Sequence, residues 1–88
     1  MRLDVARAFQ FFTANPKGQF TLSRNYHVEL TFKRSVVDGL PNWYVIGRVI
    51  DKKSGEWSLA VASPFTLSHS RRACMNAVLF GIQEEFAR

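Results

Sequence analysis

Eighty-eight residues, 47 % of them hydrophobic and including eight Phe, two Trp and two Tyr, suffice for one compact domain spanning residues 1–88 and leave no room for two. The single cysteine, Cys74, excludes an intramolecular disulfide, and no apolar run approaches the ~18 residues of a membrane span. Twelve Lys plus Arg against seven Asp plus Glu leave a net charge of +5, which attracts polyanions.

In chain order, residues 1–10 carry Asp4 and alternating polar residues rather than a signal-peptide stretch, so a cytoplasmic location is expected. Val5, Ala8, Phe9 and Phe12 recur at helical spacing and predict a first helix over residues 3–14, ended by Asn15, Pro16, Lys17 and Gly18. Phe20 and Leu22 alternate with polar neighbours, and the same parity resumes at Tyr26, Val28, Leu30 and Phe32. That pattern fits one bent strand or two pieces meeting at residues 23–25, and it leaves open whether residues 19–23 form a strand of their own.

Asp38, Gly39, Leu40, Pro41 and Asn42 have the turn chemistry of a loop. Residues 43–50, rich in aromatic and β-branched side chains, predict the central strand, and residues 51–55 a charged turn. Residues 56–62 predict a further strand with Trp57, Leu59 and Val61 on one face and Ser58 and Ala60 on the other, so residues 43–62 should form an antiparallel hairpin ended by Ser63 and Pro64. Met75, Val78, Leu79, Ile82 and Phe86 make one helical stripe, with Ser68 or Ser70 as caps. The expected fold is therefore α+β, in the order α-β-β-β-α, with a three- or four-stranded antiparallel sheet and both helices on one face.

Nothing in this pattern points to catalysis. His27, His69, Cys74 and seven scattered acids provide no metal-ligand spacing, and no phosphate loop or nucleophile elbow is present. Cys74, at the start of an apolar helix, reads as a packing residue, and His27 as a side chain on the solvent face of its strand. No catalytic residue, metal, cofactor or small-molecule substrate is expected.

The binding features are more telling. Ser68, His69, Ser70, Arg71 and Arg72 open the second helix and Glu84 and Glu85 close it. Charges so placed oppose the helix dipole at about 0.3 to 1 kcal/mol each. Exposed N–H groups, two serine hydroxyls and two arginines would make an anion site suited to phosphate; the alternative is a solvated helix end whose arginines pair with nearby acids. Arg7 and Phe11 lie opposite the core stripe of the first helix, where Phe11 is either an exposed aromatic or wraps the core edge. Lys33 and Arg34 add a basic pair at a strand end, and Lys52 and Lys53 another. The central strand is apolar on both parities, so Tyr44 and Ile46 on its second face would contact either a covering loop, a partner or a second copy.

The order of elements, the loop at Gly39, Leu40, Pro41 and Asn42, and the run Ser70, Arg71, Arg72, Ala73, Cys74, Met75 resemble the double-stranded-RNA-binding domain over nearly the whole chain. That family usually has Gly-Pro-x-His in its first strand loop and Ser-Lys-Lys-x-Ala-Lys at its second helix. Here the loop histidine is absent, Met75 replaces the third lysine, and residues 65–68 lengthen the approach to the helix. The resemblance implies phosphate binding by Arg71 and Arg72 and a minor-groove contact by Asn42. A three-stranded sheet followed by a helix is also similar to the DNA-reading amino-terminal domains of some phage and transposon integrases, which would send Arg48, Lys33 and Thr31 on the outer sheet face into a major groove.

The expected function is thus a non-enzymatic module that binds duplex RNA or DNA, mainly through phosphates, with Arg71, Arg72, Ser70, His69, Lys33, Arg34, Asn42 and Arg7 as contacts. The alternative is a small protein-interaction modulator, such as a phage-type host-directed protein or a homodimeric adaptor, using Tyr44, Ile46 and Phe11.

Overall fold

The structure is a computed structural model that describes residues 2–86. Helix α1 (Val5–Ala14) is followed by strands β1 (Phe20–Thr21), β2 (Tyr26–Val37), β3 (Leu40–Asp51) and β4 (Trp57–Ala62), a 3-10 turn (Phe65–Leu67) and helix α2 (Arg71–Phe86). The four strands form one antiparallel sheet in sequence order. Both helices pack on the same face, which gives the expected α+β architecture with the fourth strand supplied by β1.

Local chemistry explains the boundaries. The Asp4 carboxylate accepts the Arg7 N–H at 3.1 Å and caps α1, leaving Val5, Ala8 and Phe12 buried on the predicted stripe. Ser70 Oγ accepts the Ala73 N–H at 3.2 Å and caps α2, so Ser70 rather than Ser68 does this work. Phe20 pairs with Val28 and Thr21 with His27, so the alternation over residues 20–32 resolves into two strands folded back on each other.

Two expectations are corrected. Residues 38–42 are not a loop: Asp38 (φ 51°) and Gly39 (φ 78°) alone make a two-residue turn, the left-handed pair that matches the twist of a tight hairpin. Leu40, Pro41 and Asn42 therefore belong to β3, and Asn42 pairs with Ser35 in the ladder. Residues 33–41 are exposed on both faces, so the hairpin stands out from the body as an arm. The second correction concerns β4. A bulge between Val49 and Ile50 pairs Leu59 with Val49 but Trp57 with Ile50, which turns Trp57 onto the face opposite Leu59 and Val61. Trp57 is consequently 62 % exposed.

The core lies between α2 and the inner face of the sheet, where Val28, Leu30, Val45 and Val49 meet Met75, Val78, Leu79 and Ile82, with Phe12 of α1 in the same cluster. Gly47 permits this approach: a Cβ there would fall 2.5 Å from Val78 Cγ1 and 2.8 Å from Ile82 Cδ1. The chain between β4 and α2 is tied to β3 by the Ser63 N–H to Val45 O and by Ser63 Oγ, which accepts the buried Val45 N–H at 2.9 Å. Farther along the same edge, the Trp43 N–H donates to Ser68 O, and the Cys74 thiol donates to Leu67 O at 3.1 Å. Cys74 is a buried packing residue, as its place at the start of an apolar helix suggested.

Candidate nucleic-acid interface

α2 begins beside the root of the hairpin arm, and this placement determines the environment of its two arginines. Strand alternation puts Phe32 and Arg34 on the inner face of β2, and the register sets Arg34 across from Trp43. Phe32 and Trp43 are half-buried at the edge of the core, and the Arg71 guanidinium lies over them. It sits 4.2 Å from the Phe32 ring centroid and 5.7 Å from that of Trp43, while Arg34 approaches Trp43 from 5.6 Å. One turn face away, Arg72 lies 5.4 Å over Phe9 of α1.

Such cation–π contacts are worth about 0.5 to 1 kcal/mol at exposed sites and hold a guanidinium in place without consuming its N–H donors. Among the described residues no carboxylate lies within ion-pair distance of Arg34, Arg71 or Arg72, the single such pair being His27 with Glu29 at 3.7 Å. Their side chains also donate no hydrogen bond within the described residues, in contrast to Arg48, whose Nη1 donates to Thr31 Oγ1 at 3.3 Å. Three guanidiniums are thus positioned by rings, with side-chain donors that no described residue engages. The alternative, in which nearby acids pair with the helix-end arginines, is not seen among the described residues.

The other expected contacts are distributed unevenly. Ser70 Oγ is engaged in the helix cap, and Ser68 is buried, so the two hydroxyls do not form the expected anion site; His69 is exposed beside them. Lys33, paired with Tyr44, lies on the opposite sheet face from Arg34 and is not brought to the arginine cluster. Asn42 stands within the arm, not in a loop, and Arg7 is exposed on α1. Phe11 is no exposed contact: half-buried, its ring meets Phe12 at 5.1 Å and Phe20 at 5.5 Å and closes the core edge.

The outer face of the sheet carries Tyr44, 43 % exposed, and half-buried Ile46, now joined by Trp57 because of the bulge. His27 shares that face by register but is buried rather than solvent-facing, and its Nε2 lacks a hydrogen-bond partner among the described residues. Between α1 and α2 a shallow groove of about 620 Å³ is lined by Phe9, Arg72, Asn76 and Phe80.

Sequence reasoning singles out the arginines but not the rings they rest on. Periodicity places Phe9 and Phe32 on buried faces, and only the parity shared by Phe32 and Arg34 hints that a ring could also seat a guanidinium. Among the described residues no group of three or more His, Cys, Asp or Glu could hold a metal ion, and no helix is long and apolar enough to cross a membrane. No family model matches this chain, and neither a curated protein nor a solved structure matches it.

Proposed function

We propose that the chain is a non-enzymatic nucleic-acid-binding module that grips the phosphate backbone with Arg71, Arg72 and Arg34. The observation that carries this reading is that these guanidiniums rest on Phe32, Trp43 and Phe9 with no carboxylate partner among the described residues. A guanidinium held on a ring is pre-organised and desolvated on one side, and its donors suit the oxygens of a phosphate. Arg71 and Arg72 are also the positions that the resemblance to double-stranded-RNA-binding domains assigns to phosphate, which favours a duplex read by shape.

Fluorescence-anisotropy titration against labelled duplex RNA, duplex DNA and single strands, at low and near-physiological salt, tests this. Saturable binding that falls with salt is expected, and Arg71→Ala plus Arg72→Ala should flatten the log–log salt slope by about two. Absence of binding at low salt would refute the reading. A second reading rests on Trp57 joining Tyr44 and Ile46 on the outer sheet face, an apolar surface fit for a protein partner or a second copy.

A further inference from the structure

Among the described residues β1 covers β2 at His27 and Val28, and the edge of β2 beyond Val28 has no neighbouring strand. Ladder parity identifies the groups left open there. The Leu22 N–H donates to Tyr26 O, which directs the backbone groups of Tyr26 toward the β1 side. Because these groups alternate sides along a strand, those of Leu30, Phe32, Arg34 and Val36 face the same way, into the open. The opposite parity, from Glu29 to Val37, turns to β3.

A cleft of about 470 Å³ runs along this edge. Its floor includes four consecutive residues of β2, Glu29, Leu30, Thr31 and Phe32, which point alternately to both sheet faces. Contact with four residues in a row, from both parities, fits an approach to the strand from its edge. Pro16, Lys17 and Arg71 border it on the helical side and Arg48 on the outer side.

We propose that this free edge receives an extended acidic peptide as an added strand, in line with β1. The site offers N–H donors and carbonyl acceptors alternately, which a peptide backbone matches on both counts. A phosphate backbone supplies acceptors only and would face the carbonyls unpaired. A second copy added antiparallel at the same edge would bring another Lys33 and Arg34 to a site already bordered by cations, and like charges across a strand pair are unfavourable. Lys17, Arg48 and Arg71 along the cleft face the single carboxylate of Glu29, which already accepts the Gln19 side-chain amide at 3.2 Å. The charge of the missing strand is therefore negative. The cleft shares Arg71 with the proposed phosphate contacts, but its backbone edge does not depend on them, so failure of nucleic-acid binding would leave this proposal standing.

The test uses the full chain and an eight-residue peptide alternating Val and Glu, compared with the same peptide N-methylated at alternate residues in either frame and with its Val/Lys counterpart. Binding is read by anisotropy and by residue-resolved amide exchange. The Val/Glu peptide should bind and slow exchange at Leu30, Phe32 and Arg34, while one methylated frame should bind about ten-fold or more weakly through lost backbone hydrogen bonds. Lys17→Glu plus Arg48→Glu should weaken it several-fold with the melting curve retained. Equal binding of the Val/Glu peptide and both methylated frames, or binding without protection of those amides, would overturn the proposal, as would protection that appears without peptide as protein concentration rises, or that duplex RNA produces and the peptide does not.

Discussion

An arginine seated on an aromatic ring differs chemically from one in solvent, and the difference is testable at Arg71. Arg71→Lys keeps the charge but loses the planar fork that Phe32 and Trp43 support. Nucleic-acid affinity should fall by roughly 1 kcal/mol, about five-fold, with little change in salt slope, as measured by titration at several ionic strengths. The core makes equally local demands. Gly47→Ala drives a methyl into Val78 and Ile82, and chemical denaturation should show a loss of about 1 to 3 kcal/mol. Ser63→Ala strands the buried Val45 N–H and should cost about 1 to 3 kcal/mol in the same assay. Neither cost is readable from the residue type alone: Gly47 looks like any strand glycine until α2 lies across it.

At the scale of elements, most of the architecture was legible. Apolar spacing at Val5, Ala8 and Phe12 and at Met75, Val78 and Ile82 located both helices, since helical period is a local property. Asp38 and Gly39 predict a turn, and the composition of Leu40, Pro41 and Asn42, which suits loops, extends that prediction to them. The two left-handed residues close the turn by themselves, and the ladder carries on through Pro41, whose missing N–H faces away from β2 by parity. Gly39→Ala places a side chain at φ 78° and should lower the melting midpoint through a cost of about 1 kcal/mol, although no neighbouring atom lies within 4 Å of the new Cβ. The bulge at Ile50 had no signal in the alternation of Trp57, Leu59 and Val61, because a bulge is a relation between two strands.

For the whole molecule, one sheet face is covered by helices and the other is left with Tyr44, Ile46 and Trp57 beside cationic residues. If that apolar surface supports self-association, Tyr44→Ala plus Ile46→Glu should abolish it in sedimentation while leaving salt-dependent nucleic-acid binding intact; Arg71→Ala plus Arg72→Ala should do the reverse. The sequence by itself determined the order of elements, the buried stripes and a net charge of +5, because period, turn chemistry and charge depend on near neighbours in the chain. Only the tertiary structure decided that Arg71 meets Phe32, that Trp57 changes face and that β2 keeps an open edge. Each of these depends on register and close packing between residues distant in the chain, and many pairings satisfy the same local pattern.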